Sequence, residues 1–221
     1  MFFSLRIVVV ASIALQTAMA SILPMDAARG LSGRAVYDCS DPTKQSTVTT
    51  AYTDAKQLAA AASSYITANG ADSLYQSYFG MALAPQITWI YDQIANESGT
   101  NFTLVCDASC ASSTIAITTR TTTTCTKNGV SHPCAWRAYT DFCPLFYNEA
   151  ALSDVCSENA SGSQASTVVH EMTHALGHTR DYPPYGCANA RALALSNPTE
   201  AVNNAENYGC FSTAVYKAAN C

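Results

Sequence analysis

Residues 163–178 read SQASTVVHEMTHALGH, and the five from His170 to His174 decide how the rest of the chain is read. On a helix, positions i and i+4 share a face, so His170 and His174 can address one metal ion. Glu171, beside the first histidine, can lean toward a water on that ion. A zinc ion with an open coordination position lowers the pKa of its water to roughly 7. Ala165, Val168, Val169, Met172 and Ala175 recur on a helical period. That pattern predicts a core helix over 163–177, showing one face to a cleft and stopped by Gly177. HExxH is short enough to arise by chance on a surface helix. Against chance stand the apolar flanks and the grouping of three of the four histidines (His170, His174 and His178) within one short stretch.

Two histidines alone bind zinc weakly, so a catalytic site needs a third protein ligand. His178 is four residues beyond His174, but Gly177 is expected to break the helix between them. Even an unbroken helix would carry a third successive imidazole away from the ion. Asp181 lies just past the break, where the chain can turn back under the metal, and is preferred; His178 remains the rival.

The chain outside this stretch sets the compartment. MFFSLRIVVVASIALQTAMA, residues 1–20, has one early Arg6, a continuous apolar run and an Ala18-Met19-Ala20 cleavage pattern, the marks of a secretory signal peptide. The apolar run is too short for a membrane span, and no later segment could cross a bilayer. The 10 Cys fall after residue 20, an even count that predicts five disulfides in an oxidising compartment, and no C-x-x-C pair offers a zinc site. Sequons at Asn96, Asn101 and Asn159 fit the same route. The formal net charge is −5, and removing Arg6 makes it more acidic still. Such a body does not bind nucleic acid by electrostatics, although it can attract basic protein substrates.

Along the chain, residues 21–36 mix Pro, Gly and Ser and predict a flexible leader or short pro-segment. The Ala-rich stretch 51–69 predicts a helix, as do 73–80 and 84–97, the last with Pro85 near its start. Asn101–Cys106 and Ser113–Thr124 are rich in Thr, Ile and Val and predict strands, with a turn at Asn128-Gly129. Thr121–Thr124 has a second reading as an O-glycosylated patch. Asp141–Tyr147 is short and apolar, and is expected to be the edge strand lining a substrate cleft. A final helix is predicted from Asn197 as N-cap, with Pro198 at its first position and Glu200 completing a capping box. No repeat or linker divides the chain.

At HEMTHALGHTRDYPPYG the sequence resembles the deuterolysins, the fungal aspzincin metallopeptidases, with their HExxH helix and downstream GTxDxxYG segment. NPTEAVNNAENYGCFSTAVYKAANC is similar to the deuterolysin C-terminal helix and terminal Cys. Cys143-Pro144-Leu145-Phe146-Tyr147 and Cys156 match the segment before the zinc helix, and the Ala-rich helix after Cys39 fits as well. The resemblance implies His170, His174 and Asp181 as ligands of one Zn2+ per chain, Glu171 as the base and Tyr185 as the oxyanion donor. It also implies disulfides Cys39–Cys106 and Cys156–Cys221. Cys187 and Cys210 flank a compact segment and are candidates to pair with each other; Cys110, Cys125, Cys134 and Cys143 have three pairings open. The resemblance is not complete. The loop from His174 to Asp181 is shorter, His178 replaces the Gly of GTxD, and no long pro-region precedes the segment. Tyr185 follows the Asp by four residues instead of three, leaving Tyr182 as a fallback.

Other zincin patterns fit less well. The metzincin motif needs His at position 180, where Arg180 stands, and a later Met-turn. A thermolysin-type site needs a distant helical Glu, but Glu200 and Glu206 read more simply as exposed helix charges. No G-x-S-x-G supports a serine nucleophile.

The expectation is therefore an α+β fold, a predominantly helical and disulfide-rich zincin with a small antiparallel sheet beside the HExxH helix. Its parts would be a signal peptide (1–20), a leader (21–36) and a single metallopeptidase domain (37–221). The function expected is a secreted, monomeric zinc endopeptidase acting on proteins or peptides, basic ones among them, with no nucleic acid or membrane partner. The alternatives are a catalytically silent effector on the same fold or a zinc-binding scavenger using His178. Keeping Glu171 favours the enzyme, since neither alternative needs a base.

Overall fold

A computed structural model describes residues 35–99, 101–127, 130–157 and 162–221, with the side chains of 123–136 outside the description. The expected signal peptide, the Asn128-Gly129 turn and the Asn159 sequon lie outside the described residues. The described residues include the last two of the expected leader: Ala35 is buried, and Val36–Asp38 form strand β1.

Helix α1 spans Pro42–Asn69, starting earlier than the Ala-rich stretch suggests. The Asp41 carboxylate accepts the Thr43 and Lys44 amides at 2.8 and 3.4 Å, and Pro42 occupies the first turn, where its missing N–H costs nothing. These caps offset the weak helix propensity of the Thr-rich start. Ala51, Ala55, Ala59 and Ala62 are buried along one face, and their small side chains let neighbouring helices approach. Lys56 is buried as well; its Nζ donates to the Glu97 carbonyl, and the Tyr52 hydroxyl donates to the Glu97 carboxylate.

Helices α2 (Ser73–Phe79) and α3 (Ala84–Ala95) follow near their expected positions. Strands β2 (Phe102–Val105), β3 (Ala116–Lys127) and β4 (Val130–Phe142) then lead to helix α4 (Gln164–Gly177). The chain closes with α5 (Cys187–Ser196), α6 (Pro198–Val202) and α7 (Ala205–Asn220). Asn197 caps α6 as expected, its side chain accepting the Glu200 amide at 3.3 Å. The single last helix expected from Asn197 is broken at Asn203–Asn204, and α5 before it carries no side-chain cap to announce it. Phe211 of α7 is the centre of the helical core, with the rings of Tyr65, Tyr75, Tyr78, Phe79 and Tyr91 5.3 to 6.2 Å from its own. No described helix is long and apolar enough to cross a membrane.

The sheet is mixed, not antiparallel. Its order is β1-β2-β4-β3, with β1·β2 and β2·β4 parallel and only β3·β4 antiparallel. Parallel pairing of β1 with β2 requires a long crossover, and α1–α3 supply it. A second correction follows from the order. The edge strand beside α4 is β3, and β1 is the other edge; Asp141 and Phe142 end the interior strand β4, and Pro144–Asn148 form a 3-10 helix. Pro144 has no N–H to give a ladder, and Phe142, Cys143 and Phe146 are buried under the sheet, so this segment cannot serve as a free edge.

Disulfides join Cys39 to Cys106, Cys110 to Cys143, Cys156 to Cys221 and Cys187 to Cys210. Three were expected, and the second resolves part of the open set; Cys125 and Cys134 lie where side chains are not described.

α7 crosses α4 at Gly209, where a Cβ would sit 2.9 Å from the Ser166 carbonyl oxygen and 3.7 Å from the His170 Cβ. A backbone oxygen cannot rotate out of the way. Gly209→Ala is therefore expected to lower stability by about 1–3 kcal/mol, read as a fall in the urea midpoint; an unchanged midpoint would mean that the two helices have room to separate.

Candidate metal centre

α4 begins with a reciprocal cap. The Ser163 hydroxyl accepts the Ser166 amide at 3.2 Å, and the Ser166 hydroxyl accepts the Ser163 amide at 2.7 Å. Val168, Val169, Met172 and Ala175 face the core, which turns His170 and His174 toward the groove between α4 and β3. The helix ends at Gly177 as expected, but for a different reason. The left-handed residue is His178, at φ 56°, while Gly177 lies where a Cβ would press on Ile90 of α3 at 3.1 Å.

Beyond His178 the chain turns back. The Arg180 amide donates to the Asn203 carbonyl at 2.7 Å, and the Ala205 amide donates to the Arg180 carbonyl at 3.0 Å. The break between α6 and α7 frees these groups, so the return loop is held by backbone hydrogen bonds on both sides of residue 180. Asp181 is thereby directed at the histidines. Its Oδ1 lies 3.0 Å from His170 Nε2 and 3.4 Å from His174 Nε2, and the two Nε2 atoms are 3.2 Å apart. Donors roughly 2.0–2.1 Å from a tetrahedral zinc ion are about 3.3 Å from one another, so these three atoms fit one such ion. The two imidazoles and one carboxylate are also a donor set that zinc takes.

Each imidazole is oriented from behind. His174 Nδ1 donates to the Thr179 carbonyl at 2.9 Å, leaving Nε2 with its lone pair toward the cluster. The Thr179 hydroxyl bonds that of Thr173 at 2.7 Å. His170 Nδ1 lies 3.1 Å from Glu206 Oε2, and Glu206 Oε1 accepts the Gly186 amide at 2.8 Å. Burial opposes a charge on His170, but Asp181 and Glu206 override it and push the imidazole up to about 10. The hydrogen bonds from His170 and His174 hold Asp181 well below the usual carboxylate range. These groups would compete for a proton and for a cation, so a cation bound here would displace a proton.

Glu171 is 4% exposed, and its Oε1 is 4.0 Å from His170 Nε2. Its Oε2 is buried with no hydrogen-bond partner among the described residues, an acceptor left for a water or a substrate group. Tyr185 lines the groove, and its ring centroid is 6.3 Å from that of His170. Burial and the adjacent Asp181 carboxylate raise its phenol. Tyr182 does not line the groove; its amide bonds the Asn204 side chain at 3.2 Å. His178 stands apart from the converging atoms, with Nδ1 2.6 Å from Arg120 Nη1.

The groove opens into a cavity of 830 Å³ bordered by His170, Glu171, Glu149 and Glu206. The sequence reading missed Glu149, and it took Glu206 for an exposed helix charge. Glu206 is partly buried because Gly209, one turn on, brings α7 against α4. The small residue beside Cys210, one turn from an acid, is the only sequence signal that could have pointed to it.

A family model described as Aspzincin_M35, lysine-specific metallo-endopeptidase, matches residues 64–213. A neutral protease 2 homolog from Aspergillus fumigatus is 42% identical over 80 residues, which are 34% of this chain and 16% of that protein. Another from Phaeosphaeria nodorum is 30% identical over 184 residues, 78% of this chain and 46% of its own. The chain thus spans under half the length of either curated relative. A solved zinc peptidase from Grifola frondosa has a TM-score of 0.56 at 26% identity, over 78% of this chain and 96% of that one. The family match runs from the last turns of α1 to the middle of α7 and takes in the HExxH helix, the return loop and Glu206: the chain belongs to the Aspzincin_M35 family.

Proposed function

We propose that this protein is a secreted, monomeric zinc endopeptidase, with residues 1–20 as its signal peptide and the chain from Ala35 onward as one zincin-type peptidase domain. The observation that carries the reading is the convergence of three ligand atoms beside the partnerless Glu171 oxygen, all in one groove. His170, His174 and Asp181 would hold the zinc, which when bound supplies Lewis acidity and a water that ionises near neutral pH. Glu171 takes the proton of the attacking water and passes it to the leaving amine. Tyr185, beside Asp181, turns its hydroxyl to the developing oxyanion. Glu206 and Thr179 keep the two imidazoles in the tautomer that presents Nε2. The free edge of β3 offers an extended substrate its main-chain hydrogen bonds. The four disulfides among the described residues suit an extracellular protein.

We further assign the substrate side chain in the 830 Å³ cavity to a lysine. The family description points that way, and so do the Glu149 and Glu206 carboxylates on its wall.

The test is cleavage of casein and of single-lysine peptides by the full chain, untreated, chelated and zinc-restored. Chelation should abolish cleavage and zinc restore it. Glu171→Gln should lower kcat by roughly 10²–10⁴-fold with zinc content unchanged. Folded, zinc-loaded protein that cuts neither substrate would sink the reading.

Glu206→Gln is expected to weaken zinc binding by about 10–100-fold, measured by competition with a chromophoric chelator. Equal affinity would show that His170 is oriented without it.

Burial pushes the Glu149 carboxyl up to about 7, opposed by a hydrogen bond from Thr167 and aided by the charge of Glu206. A raised acid is neutral below its pKa and charged above it, whereas a substrate lysine stays protonated to about 10. The preference for lysine over norleucine, as a ratio of kcat/KM, should therefore rise between pH 6 and 8. It should stay flat in Glu149→Gln.

A further inference from the structure

β3 and α4 run in the same direction along the groove, and the charge of the groove changes sign between its ends. At one end Ser113–Ala116 faces Ser166–His170, with Glu149 and Glu206 on the wall. At the other Ala116–Arg120 faces His174–Thr179, with Arg120 and Arg180 on the wall. Glu171, Asp181 and Tyr185 border both ends. The converging ligand atoms thus lie between an acidic half and a basic half.

The basic half is a local reversal in an acidic chain, which has 11 Lys and Arg against 16 Asp and Glu. Both arginines are brought to this end of the groove by the fold. Arg180 is fixed by its two backbone hydrogen bonds, at 2.7 and 3.0 Å, to the break between α6 and α7. Its side chain is exposed, and among the described residues no hydrogen bond or ion pair holds its guanidinium. Arg120 lies on β3 with Nη1 2.6 Å from His178 Nδ1. Burial, then the charge of Arg120, keep His178 below its ordinary pKa.

We propose that the Arg120–Arg180 end of the groove binds a carboxylate of the substrate, across the scissile bond from the Glu149–Glu206 cavity. This rests on the peptidase reading and extends it: the preferred substrate has mixed charge, lysine on one side and an acid on the other, instead of being uniformly basic. A strand advances roughly 3.4 Å per residue, so Arg120 is about 14 Å along β3 from Ala116. That places the carboxylate roughly two to four residues from the cleaved bond. A guanidinium meets a carboxylate with two parallel hydrogen bonds, a geometry an amide cannot match. The carboxylate can come from an Asp or Glu side chain or from the C-terminus of a short peptide.

The experiment measures binding separately from cleavage. Labelled single-lysine peptides are titrated by fluorescence anisotropy against the zinc-loaded full chain carrying Glu171→Gln. Each peptide has Glu or Gln at one scanned position on either side of the lysine, with an amidated end. A third set ends in a free carboxylate at the same positions. At low salt the best Glu peptide should bind about tenfold tighter than its Gln partner. The advantage should shrink toward unity in 0.5 M salt, in Arg180→Gln and in Arg120→Gln. The free-carboxylate set tells a terminal source from a side chain. Equal binding of Glu and Gln peptides at every position, or an advantage that survives both arginine variants, overturns the proposal. Arg180→Glu, which should invert the preference toward Lys at that position, guards against loss of binding through misfolding. Cleavage by the parent chain is scored on the same peptides. Charge-dependent binding without cleavage would remove the peptidase reading alone, and cleavage without charge dependence would remove this proposal alone.

Discussion

At Gly209 the backbone of α7 comes so near the Ser166 carbonyl of α4 that no side chain fits between them. The site depends on that approach. Glu206 stands one turn before Gly209 and Cys210 one residue after, so the same contact brings a carboxylate to His170 and a disulfide to the start of α5. A helix pair held apart by an ordinary residue would leave His170 Nδ1 facing water, and the imidazole would be free to rotate or change tautomer. Close packing here is what holds the imidazole in one orientation.

The return loop uses a different device. The chain has six residues between His174 and Asp181 in which to leave a helix and come back under it. It does so by lending residue 180 to the gap between α6 and α7, in an isolated parallel bridge with Asn204. The gap itself is held by Asn207, whose amide donates to the carbonyls of Tyr78 and Ala190 at 2.6 and 2.9 Å, and by Asn204, which donates to Asn207 at 2.7 Å. A buried amide network thus fixes a break in one helix so that a carboxylate can reach the face of another.

What could be read from the sequence was local. The HExxH helix, its Ser163 start, its end at Gly177 and the turn back to Asp181 all follow from spacings within twenty residues, and those elements formed as expected. Glu206 was misread because only the packing of α7 on α4, set by a glycine, tells a helix charge from an orienting group. The sheet was misread for a similar reason. The Thr-rich runs predict strands, but whether β2 pairs parallel to β1 depends on where three intervening helices pass, and β1 is too short to show a pattern. β3 was found as a strand, yet its place at the edge followed only from the order of the sheet.

The long helix α1 carries Lys44 and Lys56, α7 carries Lys217, and Lys127 closes β3. These are the four lysines of the chain. On the proposed reading, a groove that aligns its substrate against an edge strand would accept only extended backbone; the three helical lysines could not be offered to it without unwinding several turns, whereas Lys127 already lies in a strand. Three of the four lysines would then be withheld from such a groove on neighbouring copies for as long as α1 and α7 hold. Copies that lose those helices would expose the three lysines, so self-digestion there would act as selective removal of the damaged fraction.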